Sequence, residues 1–365
     1  MTKHIFSAFV ALGLVGALTP AVNRAADTGS QRMIEAAVKA GELDSARRGE
    51  IRYWSNTPAD KDLSEIGKAF NTRFGLNVEV KGLPISAMDV VNRLAVSAQA
   101  RQAADGDVML FSPSSLYWLH QRNLLESFGW VEVFGQEFPD IRRRVDRLGP
   151  HFRNKALELY HLVYVIGYRT DRVKKEELPK TWADLANPKW SGRVAVANAG
   201  SPFSYLAVFP SWGEQKALEL ARGLKGNGAI IVKGSPGVAA ALESGEATLG
   251  VSTVGNLEFS KAKGAPVDWI MVPGVVVNPK NLTLAKGAPH TNLARLFVAW
   301  LSTQGRPLFE QLTRDGLAWP DEDSALAKRI KQVGGGGDLL VMDTHEKEEI
   351  GQKNAQRITK LYMAQ

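Results

Sequence analysis

Four predicted strands end in a hydroxyl residue directly before a proline, at Thr57-Pro58, Ser112-Pro113, Ser201-Pro202 and Ser235-Pro236. A Ser or Thr at a helix N-cap accepts an orphan backbone N–H, and a proline at the first helical position needs no partner for one. Each pair therefore reads as a turn from strand into helix, and Asp60, three residues after Thr57, adds the acidic partner of a capping box. Helix N-termini that converge present free N–H groups and about half a positive charge each, which is the chemistry of an anion site. The plainer reading of any one pair is a hydroxyl that caps only its own helix.

Other chemistries lack their residues. With no cysteine in the chain, thiolate metal sites, disulfide scaffolds, thiol nucleophiles and lipidation at a cysteine are excluded. There is no GxSxG elbow, GxGxxG fingerprint or GxxxxGK[ST] loop. His120, His151, His161, His290 and His345 are scattered, and His345-Glu346 is not followed by the second histidine of a zinc-protease helix. Glu176-Glu177 sits in a lysine-rich turn and reads as solvated surface, although a carboxylate pair assembled by folding stays open. Arg142-Arg-Arg144 with Arg147 lacks interleaved aromatics or a nucleic-acid motif, so it reads as a solvated helix face or a partner's docking surface. A net charge of +7 suits an anionic ligand and is too small to imply nucleic acid.

The elements that must position the hydroxyl turns follow from pattern. A chain of 365 residues with 44% hydrophobic content is long enough for two domains. Residues from Ile5 to Leu18 form an apolar core behind Lys3, followed by the small pair Ala25-Ala26. This reads as a cleaved secretory signal, residues 1–26, too short to span a membrane, with a mature start expected between Val22 and Thr28. A polar helical stretch from Met33 to Ala46 precedes a strand at Ile51 to Trp54. Leu63, Ile66 and Phe70 then stripe a helix stopped by Gly75, and Met88, Val91, Leu94 and Ala98 stripe another. Strands at Val78 to Val80, Asp107 to Phe111, Val163 to Ile166, Arg193 to Ala197, Ile230 to Lys233 and Ala247 to Val251 alternate with helices, the pattern of parallel α/β sheets. Ligands of open α/β sheets bind at the carboxyl edge of the strands, where the hydroxyl turns lie. After the Gly334–Gly337 break, Ile350, Ile358 and Leu361 predict one face of a helix packed back on the body.

Three stretches then resemble a known family: Gly167-Tyr-Arg-Thr-Asp171, Leu178-Pro-Lys-Thr-Trp-Ala-Asp-Leu185, and Asn187-Pro-Lys-Trp-Ser-Gly-Arg193-Val-Ala-Val196. With Ala104-Asp-Gly-Asp-Val-Met-Leu110, Leu242-Glu-Ser-Gly-Glu-Ala247, Val277-Asn-Pro-Lys-Asn-Leu-Thr-Leu284 and Lys286-Gly-Ala-Pro289, they resemble, in order from about residue 50 to 320, the periplasmic solute-binding proteins of ABC importers. The group includes binders of ferric ion, polyamines, thiamine, phosphonates and sugar phosphates. Trp182 and Trp190 read as packing residues within these motifs.

The resemblance implies an α/β, two-lobed periplasmic-binding-protein fold, with two hinge crossover strands and a ligand cleft between the lobes. It places lobe one at residues 27–160, lobe two at 161–275, and the return to lobe one with C-terminal helices at 276–365. The crossings are expected near Tyr160 to Tyr168 and Trp269 to Val276. By their place after matching strands, the implied ligand-binding residues are Ser55, Asn56, Thr57, Ser112, Ser114, Asn198, Gly200, Ser201, Tyr205, Thr253, Asn256 and Asn278. In the ferric binders an adjacent tyrosine pair lies where this chain has Ser252-Thr-Val-Gly-Asn256. No tyrosine occurs there, and only Glu258 would offer a polyamine an acidic partner. The expectation is a monomeric periplasmic protein, neither enzyme nor nucleic-acid binder and without a cofactor. It would carry a small oxyanion-bearing organic solute to importer permease subunits. A ferric, polyamine or thiamine binder of the same family is the alternative, and a secreted hydrolase, transferase or purely structural protein the rival class.

Overall fold

The computed structural model describes residues 28–332 and 339–364, so the expected signal segment and the Gly334–Gly337 break lie outside it. Its strands are β1 (Arg48–Trp54), β2 (Asn77–Leu83), β3 (Val108–Phe111), β4 (Ala156–Arg169), β5 (Val194–Ala197), β6 (Ile230–Val232), β7 (Leu249–Thr253), β8 (Val267–Ile270), β9 (Val275–Leu284) and β10 (Leu339–Val341). Their order is β2-β1-β3-β9-β4-β7-β5-β6, with β8 added to β4 and β10 to β9. In one lobe β1 pairs in parallel with β2 and β3, and in the other β5 pairs in parallel with β6 and β7.

Two long strands join the lobes. β4 pairs with β9 through Ala156–Val163 and with β7 through Tyr164–Tyr168, so it crosses where the sequence places the first crossing. The return is made by β9, whose far end pairs with β3, because β8 stays in lobe two on Ile166–Arg169 of β4. The second crossing thus falls a few residues beyond Trp269 to Val276.

Apolar spacing accounts for most helices. Asp60–Phe74 buries Leu63, Ile66, Phe70 and Phe74 and ends at Gly75, whose φ of 63° is the left-handed conformation that glycine adopts freely. Ala87–Gln99 buries Val90, Val91 and Leu94 and leaves Met88 exposed, so its inward stripe is turned from the expected one. The first helix, Gly29–Lys39, is shorter than Met33 to Ala46 suggested. Tyr53, Phe70, Phe297 and Trp300 anchor the core of lobe one, and Trp182, Trp190, Phe203 and Val196 one core of lobe two. No described helix is long and apolar enough to cross a membrane.

The arginine cluster is divided: Arg142 and Arg143 are exposed, as a solvated face requires, but Arg144 is not. Arg144 lies on the same side of its short helix as Ile141 and Val145 and is fully buried. It bonds Glu322 at 2.5 Å and Glu158 at 3.4 Å, while Arg147 reaches Asp321 at 2.6 Å.

The hydroxyl-proline pairs are corrected too. Only Ser112-Pro113 has the expected backbone, with Ser112 at the N-cap of Pro113–Gln121, and even there the hydroxyl meets that of Ser114 at 3.1 Å and makes no cap bond. After Thr57 the helix waits until Asp60 with Ala59 at the N-cap, and the Thr57 N–H donates to Ser55 Oγ at 3.1 Å. The helix after Ser201 starts at Phe203, and Ser235 lies inside one begun at Gly234.

Gly167, on the crossing strand β4, has no room for a side chain, since an added Cβ would come within 2.9 Å of Leu242 and Leu257. Gly167→Ala is expected to destabilise by about 1–3 kcal/mol through overpacking. A lowered urea midpoint at unchanged slope would show it, and an unchanged midpoint would contradict it.

Candidate functional site

The register of the two crossing strands builds the site. Tyr160 stands opposite Lys280 and Leu162 opposite Asn278, and opposed residues of an antiparallel pair share a face. Two residues on, Tyr164 joins that face. The other face carries His161, Pro279 and Asn281, with Glu158 reached through an irregularity in the ladder. There Trp319 Nε1 donates to Glu158 at 2.9 Å and His161 meets Glu158 at 2.9 Å, a network closed off by Arg144.

Onto the first face converge groups from both lobes. Tyr205 meets Tyr164 edge to face, with ring centroids 5.9 Å apart. Asn278 Nδ2 donates to Glu348 Oε1 at 2.9 Å. Asp315 comes from the loop after the Arg306–Thr313 helix and lies against Gly255, where an added Cβ would be 2.4 Å from Oδ1. That oxygen is buried without a hydrogen-bond partner.

The charges here are shifted toward their neutral forms. Burial lowers the Lys280 ammonium, with Glu348 and Asp315 pulling the other way through space. Burial raises Glu348, opposed by Lys280 and the Asn278 hydrogen bond. Burial also raises the phenols: Tyr164 is pushed up to about 12, with Ser201 opposing the rise, and Tyr160 and Tyr205 are raised as well. All three phenols therefore remain protonated and can donate at neutral pH.

Of the residues implied from sequence, the structure brings Thr57, Ser201, Tyr205 and Asn278 to this cluster, where Thr57 opposes the rise of Tyr160 and Ser201 that of Tyr164. Ser55 is buried and spent on Thr57, Asn56 is exposed, and Ser112 and Ser114 bond each other. Thr253 Oγ1 accepts from Asn256 at 2.8 Å. The carbonyl of Asn198 accepts from Thr359 at 3.1 Å, and Gly200 lies under Ile358. Sequence reasoning missed Tyr160, Tyr164, Lys280, Asp315 and Glu348. No local signal marked Lys280, which lies in the polar centre Asn278-Pro-Lys-Asn281 of β9.

Cavities flank the cluster. One of about 500 Å³ is lined by Val254, Trp269, Glu310, Arg314 and Asp315. Another of about 330 Å³ lies on the other face of β9, against Pro113, Glu158, Asn281 and Trp319. Among the described residues no group of three or more His, Cys, Asp or Glu is placed to hold a metal ion.

Two lobes joined by two crossing strands, with a polar cluster between them, define a periplasmic-type binding protein. Residues 65–306 match the family model described as bacterial extracellular solute-binding protein, and the chain belongs to that family. It is 31% identical over 203 residues to an uncharacterized protein of Haemophilus influenzae, an alignment covering 51% of this chain and only 56% of that protein. It is 26% identical over 276 residues to iron uptake protein A1 of Synechocystis, covering 71% of this chain and 73% of the relative. Among solved structures it resembles iron-bound HitA from Pseudomonas aeruginosa, with a TM-score of 0.66, 18% identity, and coverage of 86% of this chain and 99% of the other. The substrate-binding protein of an Agrobacterium tumefaciens ABC transporter gives a TM-score of 0.66 at 12% identity, covering 85% of this chain and 95% of the other. At these identities the structures establish the fold.

Burial pushes Asp315 up to about 7 from 3.8, against the Gly255 N–H and Lys280, which favour its charge. The folded chain therefore keeps this proton where the unfolded chain has lost it, and stability falls as pH rises through that window. Asp315→Asn is expected to remove this loss, stabilising the protein above pH 7 by on the order of 4 kcal/mol at most. Urea unfolding of both proteins at acid and alkaline pH checks it, and parallel pH profiles would refute it.

Proposed function

We propose that the chain is the periplasmic substrate-binding component of an ABC importer. It captures a small organic solute bearing an oxyanion, such as a phosphonate, sulfonate, carboxylate or sugar phosphate, by closure of its lobes. The observation that carries the anion reading is Lys280, an ammonium fixed by strand register among protonated phenols and the amide of Asn278. Burial weakens its hold on its proton, and Glu348 and Asp315 support its charge through space. Charge-assisted hydrogen bonds contribute roughly 1.5–3 kcal/mol each, and micromolar affinity is about −8 kcal/mol, so an ammonium and several hydroxyl donors suffice after the cost of ordering. No step of turnover is assigned, since the motifs for nucleophilic, nucleotide and metal chemistry are missing from the sequence.

A ferric ion is the second reading. Its support is the gathering of three phenols and two carboxylates, hard oxygen donors, together with the iron in the names of two relatives, the Synechocystis protein and the major ferric iron-binding protein of Neisseria meningitidis. Against it stand the ammonium in the same cluster and the lack of tyrosine from Ser252 to Asn256. Thermal-shift titrations with phosphorylated sugars, phosphonates, sulfonates, ferric citrate and spermidine separate the readings. Anions are expected to raise the melting temperature with concentration. Lys280→Met is expected to weaken them by about tenfold or more, and Ser201→Ala by less. A response confined to ferric citrate or spermidine, undiminished in Lys280→Met, would reverse the assignment.

A further inference from the structure

The C-terminal helix His345–Met363 is rooted in lobe two. Ile358 and Tyr362 lie in the lobe-two core, and Lys225 Nζ donates to the Leu361 carbonyl at 2.8 Å. Arg357 pairs with Glu214, and Thr359 Oγ1 donates to the carbonyl of Asn198 at 3.1 Å. Its first turn goes elsewhere. The His345 ring stacks on Tyr117 at 4.0 Å and meets Trp118 edge-on at 5.1 Å, and both aromatics belong to the lobe-one helix Pro113–Gln121.

Between these anchorages the helix passes over the cleft cluster. At Gly351 an added Cβ would come within 2.9 Å of the Tyr205 ring, so the backbone approaches lobe two closely at that point. One turn earlier Glu348, which is buried, points inward to Asn278 and the field of Lys280. A carboxylate from the tail thus stands against the same amide and ammonium to which the reading above gives the solute.

We propose that this helix is an internal strap: His345 grips the lobe-one aromatic pair and holds the lobes closed without solute, while Glu348 occupies the place of the solute's anionic group. The strap rests on the contacts alone. The competition with an anion rests on the anionic-solute reading.

The test uses the full mature chain stripped of small molecules by unfolding and refolding. Small-angle scattering is recorded for wild type, His345→Ala and Glu348→Ala, with circular dichroism to confirm folding. Both variants are expected to have a larger radius of gyration than wild type, and equal radii in all three would overturn the strap. Calorimetric titration with inorganic phosphate then addresses the competition. Glu348→Ala is expected to bind phosphate about tenfold more tightly than wild type, in the range usual for coupled sites. Equal or weaker binding by Glu348→Ala would overturn the competition and leave the strap. Failure of phosphate to bind any of the proteins, with the radii still different, would overturn the anion reading and the competition and leave the strap in place.

Discussion

The antiparallel pairing of β4 with β9 is the constraint on which the rest depends. It is at once the connection between the lobes and the floor of the cleft. Because opposed residues share a face, one register decides that Lys280 and Asn278 look into the cluster while Asn281 faces Glu158 and the arginine network. A slip of one residue would exchange the two faces. Lys280 would then lose the field of Glu348 and Asp315, and Asn281, already without partners on either side-chain atom, would enter a phenol-lined site. Polar groups on both faces thus hold the register that an apolar ladder would leave to hydrophobic pattern alone.

Those polar groups come at a cost that differs between the faces. On one, Arg144 is neutralised at hydrogen-bond distance by Glu322 and Glu158, and burial still lowers the arginine's hold on its proton. That network pairs its charges and reads as scaffold, although Arg144 Nε and both Asn281 side-chain atoms are left without partners. On the other face Lys280 is only influenced through space, and Asp315 leaves an oxygen unpaired. A buried polar group short of partners is destabilising until something supplies them, which is the condition for attracting a ligand. Charges paired on one face and felt only through space on the other, back to back on one pair of strands, favour the second face as the candidate site.

Much of the fold was legible from sequence, and the reasons are local. Leu63, Ile66 and Phe70 with Gly75 specify a helix and its end without outside help, and the Trp182 and Trp190 motifs mark packing that the structure places in a buried core. The hydroxyl-proline pairs misled because proline after Ser or Thr suits a tight turn as well as a helix start. The turn takes two extra residues near Thr57 and one near Ser201 before the helix begins. Lys280, Asp315 and Glu348 were missed for a different reason. Their meaning comes from strand pairing and from a helix that returns across 70 residues to reach Asn278. No window along the chain contains that information.

The proposed preference of the cleft for an anion rests on which of its groups give and which accept. The phenols of Tyr160, Tyr164 and Tyr205 hold their protons because burial penalises phenolate, so they present O–H groups. Lys280 presents N–H groups, and Asn278 uses its amide nitrogen toward the cleft while its oxygen is left buried without a partner. A trivalent cation would require buried phenols to lose protons, which desolvation opposes, and would itself be repelled by the Lys280 ammonium. An oxyanion would meet neither obstacle, and Tyr160, Tyr164, Lys280 and Asn278 lie as donors on one face of the strand pair. The acceptor that stands there is the chain's own carboxyl group, Glu348, on Asn278 Nδ2 at 2.9 Å, which is the kind of group the proposed solute would bring.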